Sequence, residues 1–220
     1  MSTRLLYHGW GLRGYRELAI GFEAPGIHFR VEQKVDTFRC AQCGSTQVTK
    51  AGLVPRQFRS LPIGGKPVWI CLSIQRLWCA TCGKTRQAKV TFAEEARSYT
   101  HAFERYVLEL SAHMTILDVA RHLGVGWDLV KEIQKRNLQR RFRKPKLKHL
   151  RHLAIDEISI GRGHRYLTVV LDLDSGAVVF VGPGKGADSL LAFWKRLRGS
   201  HARIKAVATD MSPAYIAAVS

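Results

Sequence analysis

Residues 152–176, HLAIDEISIGRGHRYLTVVLDLDSG, decide the fold. A short apolar run, Leu153-Ala154-Ile155, delivers Asp156 and Glu157. A second run from Tyr166 to Leu173 has strand character, and Asp174-Ser175-Gly176 has the composition of a hairpin turn. Working outward, Ala177 to Gly182 predicts a third strand. A helical pattern follows from Asp188 to Arg198, with Leu190, Leu191, Trp194 and Leu197 on one side and Gly199 as its stop. A fourth run, Ala206-Val207-Ala208-Thr209, delivers Asp210. Three strands on short turns, a helix and a further strand are the order of an RNase H-like core, with an aspartate expected at the end of two strands.

The segments AIDEISIGRGHRYLTVVLDLDSG and AVATDMSPAYI are similar to the catalytic core of bacterial insertion-sequence transposases of the Asp-Asp-Glu type. The group it resembles most carries a cysteine-rich zinc module and a helix-turn-helix before the core. The likeness runs from about Cys40 onward and is weak before Asp36. It implies that Asp156 and Asp210 are the first two metal-binding carboxylates, with Mg²⁺ or Mn²⁺ as the catalytic ion. It implies binding of terminal inverted repeats and of target DNA, strand cleavage and transfer, and a homo-oligomer on DNA. The family's third carboxylate, a glutamate further along, has no counterpart before Ser220, so a truncated copy is the expectation. The alternative is a non-catalytic DNA-binding protein or repressor derived from a transposase.

Charge supports a nucleic-acid partner independently. The chain holds 35 Lys/Arg against 17 Asp/Glu, a formal charge of +18. Residues 151–220 hold nine basic and six acidic side chains, which leaves a net +15 in residues 1–150. Such a concentration of charge calls for a polyanion. No segment approaches the ~20 apolar residues of a membrane span, and the start of the chain lacks the apolar core of a secretory signal. A cytoplasmic, reducing setting is therefore expected.

Two Cys-x-x-Cys-Gly knuckles, Cys40/Cys43 and Cys79/Cys82, suit a tetrahedral Zn²⁺. Four thiolates leave no open position, so this zinc would be structural. The long spacer holds a strand of its own, Val68 to Ile74, which makes the module an expanded ribbon. Cys71 lies mid-strand and is expected to be a plain thiol outside the ligand set. Leu61 to Pro67 reads as a tight loop without chemistry.

From about Ala102 the pattern becomes helical. Phe103, Tyr106, Val107 and Leu110 form one stripe, and Thr115 caps a short helix carrying Leu117, Val119, Ala120 and Leu123. Gly124-Val125-Gly126 is a turn, and a third helix carries Trp127, Leu129, Val130 and Ile133 on its apolar side. This is the helix-turn-helix order. Residues 131–151 add ten basic side chains against Glu132 alone, and the helix should end before Pro145. The expected DNA contacts are Lys131, Lys135, Arg136, Arg140, Arg141, Arg143 and Lys144, with Asp128 a further base-reading candidate by helix position.

The chemistry of the aspartates follows from hard oxygen ligands. Two-metal phosphodiester cleavage needs carboxylates that bridge and flank two divalent ions. Glu157 would face away from Asp156 if the strand continues. Asp172 and Asp174 read as turn residues, Gly182 to Gly186 as a loop, and none of the nine histidines shows ligand spacing. The expected architecture is multi-domain α+β. It comprises an N-terminal segment (1–36), a zinc ribbon (37–93), a helix-turn-helix (94–141), a basic linker (142–151) and the first part of an RNase H-like α/β core (152–220).

Overall fold

The computed structural model describes residues 5–142, 145–210 and 215–216, arranged in two compact units, Met1–Arg136 and Asn137–Ser220. Arg143 and Lys144 of the basic run, and the Ser212-Pro213 helix start, lie outside the described residues.

The first unit is built on a long antiparallel hairpin, β3 (Val48–Ile63) and β4 (Lys66–Cys79). Its two-residue turn, Gly64-Gly65, has both φ angles positive, which matches the twist of the flanking strands and suits glycine. The spacer strand is thus longer than the expected Val68 to Ile74. The first 36 residues contribute a short helix α1 (Leu5–Trp10) and a second hairpin, β1 (Tyr15–Glu23) and β2 (Gly26–Gln33). β2 runs parallel to β4, placing Ile27 to Val31 beside Val68 to Leu72. The sheet order is β1-β2-β4-β3, with β5 (Lys84–Gln87) pairing the far end of β4.

Alternation along β4 explains the core. Val68, Ile70, Leu72 and Ile74 are buried on one face against Phe29, Phe58, Leu6, Trp10 and Phe92. Trp69, Cys71 and Ser73 point to the other face. A separate small cluster, Phe38, Leu77 and Ala88, supports the cysteine-bearing end.

Helices α2 (His101–Leu110) and α3 (Ile116–Leu123), with α4 (Trp127–Phe142) as far as Arg136, complete the unit. Thr100 and Thr115 cap the first two by accepting from the backbone N–H of Phe103 and Asp118. Gly124 closes α3 in the left-handed conformation. Phe103, Val107, Val119, Leu123, Val130 and Ile133 form the shared core, while Leu117 and Trp127 of the expected apolar stripes are exposed. The described part of α4 reaches Phe142.

The second unit is a four-stranded sheet in the order β8-β7-β6-β9. Its strands are β6 (His152–Ser159), β7 (Tyr166–Asp172), β8 (Val178–Pro183) and β9 (Ala206–Thr209). Helix α5 (Leu191–Ser200) and the 3₁₀ turn before it (Ala187–Leu190) cover one face, burying Leu190, Phe193 and Leu197 against Leu153, Ile155 and Val170. Two helix expectations need correction. Leu191 is exposed and Phe193 takes the core position, because residues 190, 193 and 197 share a helical face that 191 leaves. Gly199 lies inside the helix, and His201 supplies the left-handed cap.

Candidate functional site

The four knuckle cysteines converge. Their sulfurs lie within 4.8 Å of one another, with Cys40 to Cys82 at 3.9 Å and Cys43 to Cys79 at 3.7 Å. A regular tetrahedron with metal–sulfur bonds of ~2.3 Å requires sulfur–sulfur separations of about 3.8 Å. Local backbone sets this up. Gly44 and Gly83 follow the second thiol of each knuckle with positive φ, and their N–H groups close back on the carbonyls of Cys40 and Cys79.

The backbone N–H groups of Cys43 and Gln42 point at the Cys40 sulfur and hold its thiol down at about 6. Cys82 is pushed up to about 12, first by its hydrogen bond to Cys43 and then by burial. Four sulfurs this close cannot all ionise without a cation among them, which is the donor chemistry of a structural zinc site. Cys71 is outside the cluster. It is half-buried beside His28 Nδ1 at 3.7 Å, and burial pushes its thiol up.

The aspartates are placed by strand register. β6 and β9 pair in parallel, with Ala154 opposite Ala208 and Ile155 opposite Thr209. The next residue on each side is Asp156 and Asp210, so both carboxylates start from adjacent strands at one level of the sheet. Leu153 and Ile155 face the α5 core, so alternation puts Asp156 and Asp210 together on the opposite face. Both residues are exposed. Asp156 Oδ1 accepts from the Glu157 N–H at 2.7 Å.

Only Asp210 follows the end of its strand. β6 continues to Ser159, so Asp156 is mid-strand, a correction to the expected strand end. Glu157 pairs across to buried Thr168 and takes the other face. Thr168 in turn anchors Tyr215, whose hydroxyl lies 3.0 Å away. The expected turn roles hold at the β7–β8 hairpin: Asp172 accepts from the Asp174 N–H and the Ser175 hydroxyl, and Asp174 contacts His152.

The helix after the Gly124 turn presents Asp128, Lys131, Lys135, Arg140 and Arg141 to solvent. Lys131 Nζ lies 4.6 Å over the exposed Trp127 ring, a flat cation–aromatic patch at the start of α4. Arg136 is placed differently from its basic neighbours. Its guanidinium donates to Tyr99 Oη at 2.7 Å and pairs with Glu94, tying α4 to the segment before α2.

One residue that sequence reasoning passed over organises this region. Arg59 of β3 is 5% exposed and donates to the carbonyl of Leu123 at 2.8 Å, the last residue of α3. Its guanidinium stacks between Trp69 and Phe103, and burial draws its pKa down. The flanking backbone of residues 98–100 hydrogen-bonds to Arg59 on both sides. In sequence it is one basic residue in a basic chain; its alternation with Phe58 and Ser60 carried no sign of burial.

Three family models match along the chain in this order. Residues 36–82 match the zinc-finger of transposase IS204/IS1001/IS1096/IS1165, residues 88–136 the helix-turn-helix domain of transposase family ISL3, and residues 153–220 the transposase domain of the DDE type from the same family. The chain belongs to the ISL3 insertion-sequence transposases. It is 34% identical over 221 residues to the transposase for insertion sequence element IS1001 of Bordetella parapertussis, covering 98% of this chain and 54% of that protein. It is 35% identical over 170 residues to the transposase for insertion sequence element IS1557 of Mycobacterium tuberculosis, covering 74% of this chain and 37% of that protein. The chain thus spans about half the length of the first of these relatives and less of the second. The zinc-finger, helix-turn-helix and transposase models thus follow one another along this chain in that order.

Proposed function

We propose that this chain binds duplex DNA at the terminal inverted repeats of an insertion sequence and supplies Asp156 and Asp210 to metal-dependent strand cleavage and transfer. The observation that carries the reading is the parallel register of β6 and β9, which sets two exposed carboxylates side by side on a face opposite the core. Hard, exposed oxygen ligands on a rigid sheet suit Mg²⁺ or Mn²⁺, whose role in phosphoryl transfer is to activate the attacking oxygen and stabilise the leaving one. The protein's own part is to hold the two carboxylates at one level and to deliver DNA to them.

DNA delivery falls to the helix-turn-helix of the first unit and the rest of α4. The helix-turn-helix would place α4 in a major groove, with Lys131, Lys135, Arg140 and Arg141 near phosphates. Arg143 and Lys144 belong to the same basic run. The domain reading that goes with this is a ribbon to about residue 93, a helix-turn-helix to about 141, a basic linker to about 151 and the catalytic sheet thereafter. Assembly as a homo-oligomer on two DNA ends and a cytoplasmic site of action complete the proposal. None of the described helices is long and apolar enough to cross a membrane.

The test is Mn²⁺- or Mg²⁺-dependent nicking of element-end duplex by the purified chain, with Asp156→Asn and Asp210→Asn beside it. Nicking that either substitution abolishes while DNA binding persists is the expected result. Tight binding without metal-dependent nicking would leave a DNA-occupying protein instead. Nicking unaffected by both substitutions would remove the aspartates from the site.

A further inference from the structure

Among the described residues, the face of the ribbon sheet opposite its core is covered at its two ends, by the helices and by the Phe38–Leu77–Ala88 cluster, and open between them. Alternation along β4 sends Trp69, Cys71, Ser73 and Gln75 to this face, and the paired strands add His28 and Arg59 opposite Trp69, then Arg30 and Gln57 opposite Cys71. The row at Trp69 is closed by the helices, through the Arg59 bond to Leu123 and the stacking on Phe103. Beyond that row the face opens into a trough of about 1160 Å³.

The trough carries a net positive charge. Arg16, Arg30, Lys34, Lys50 and Arg56 line it, against a single lining carboxylate, Glu32. Glu32 is spoken for by Arg16, and Arg30 has only a loose contact with Glu23 at 3.8 Å. Lys34 and Lys50 are exposed and have no ion-pair partner among the described residues. Residues 1–100 hold 15 Lys/Arg against six Asp/Glu, so this excess does not come from the helix-turn-helix or its basic extension. A concave wall of net positive charge over an uncharged floor of Gln57, Ser73, Gln75, Leu53 and Pro55 raises the local concentration of polyanion.

We propose that this trough is a second DNA-backbone site, which takes the phosphates of duplex lying beside the segment read by the helix-turn-helix. The proposal rests on the DNA-binding reading above. Its geometry follows from contiguity, because the trough begins one strand row beyond the residue that holds the end of α3. From Cys71 to Gln75 the floor runs four residues, or about 13 Å at ~3.3 Å per residue. That matches about four base pairs at ~3.4 Å each. The floor offers no set of fixed donors for base edges, so the contact adds affinity and length without sequence preference.

The experiment uses the full chain, zinc-loaded, and a duplex selected by the chain itself from a randomised pool. Arg30→Gln/Lys34→Gln/Lys50→Gln is compared with Lys131→Gln/Lys135→Gln on α4 and with Lys195→Gln/Arg196→Gln/Arg198→Gln on α5, which makes the same charge change elsewhere. If the three trough cations each neutralise one phosphate, the slope of log K against log salt falls by about 2.7. The hydroxyl-radical footprint then shortens on one side by about four base pairs, while the preferred sequence is retained. The α4 variant should weaken binding without shortening the footprint on that side, and the α5 variant should keep both the affinity and the footprint.

Gln57→Glu, a single exposed change that puts a negative charge on the floor, should weaken binding in the same direction and guards against misfolding of the triple variant. An unchanged slope and footprint in the trough variants, with weakened binding in the α4 variant, overturns the trough and leaves the DNA reading intact. Unchanged binding in both sets overturns the DNA reading itself.

Discussion

Replacing Cys79 by serine should release the metal and unfold one end of the ribbon while leaving the other end folded. Cys79 is the last residue of β4, paired with Val48 and Lys84, and its sulfur faces Cys43 at 3.7 Å. A structural zinc of this kind contributes on the order of 10–16 kcal/mol to folding of the segment it binds. What would remain at that end is the cluster of Phe38, Leu77 and Ala88, worth about 5 kcal/mol from burial of two large apolar side chains and one small one. The cluster cannot replace the metal, so the two knuckles and β5 should open.

The main core is a different matter. Phe29, Phe58, Val68, Ile70 and Leu72 are almost fully buried around the middle of the sheet and touch none of the cysteines' small cluster. Hydrogen exchange by mass spectrometry checks the division. In Cys79→Ser, peptides containing the Gly44 and Gly83 amides should lose protection, and peptides from residues 66–74 should keep it. Metal analysis should fall from one zinc per chain to none, and Cys71→Ser should leave both readings as in the parent. Retained zinc in Cys79→Ser, or its loss in Cys71→Ser, would refute the ligand set. Uniform loss of protection through residues 66–74 would refute the separation of the two clusters.

Other expectations follow from single contacts. Thr115→Ala removes the cap that accepts from Asp118 N–H and should cost about 1 kcal/mol in denaturant unfolding of the first unit. Arg136→Ala should destabilise that unit by about 2 kcal/mol, since it breaks charge-assisted hydrogen bonds to Glu94 and Tyr99, whereas Lys135→Ala should leave stability within about 0.5 kcal/mol. Arg140→Glu/Arg141→Glu should weaken binding to duplex of any sequence and flatten its salt dependence, read by fluorescence anisotropy at several salt concentrations. Phe193→Ala should lower the stability of the second unit by about 3–5 kcal/mol in calorimetry, and Leu191→Ala should barely change it.

What the sequence disclosed and what it hid divide along the range of the interactions. The knuckles, the Thr115 cap, the Gly124 turn and the Asp174-Ser175-Gly176 hairpin are local, each fixed by residues within a few positions, and all were legible. The pairing of β2 with β4 joins residues about forty positions apart, in parallel, with no turn between them to announce it. The basic residues were least legible, because composition assigns all of them to a solvated surface. Arg59 and Arg136 are instead held inside the first unit by a carbonyl, aromatic rings and a carboxylate. Only packing distinguishes them from Lys131 or Lys135, and packing depends on which strand and helix the fold brings opposite. The aspartates lie between these cases. Their strands could be read, but their placement on one face depends on a register that the apolar runs did not specify.

That register also explains why the carboxylate site is sensitive to the packing beneath it. A slip of one residue between β6 and β9 would put Asp210 beside Ile155 rather than beyond it, and in a strand that moves the side chain to the opposite face. Val207 and Thr209 resist the slip because they are half-buried on the α5 side, and the exchange would bring Ala206, Ala208 and Asp210 there instead. The apolar contact of Val207 with the α5 cluster is worth on the order of 1–2 kcal/mol, and burying the Asp210 carboxylate would cost several more. Packing on the covered face therefore holds both aspartates on the open one, although neither aspartate belongs to the core.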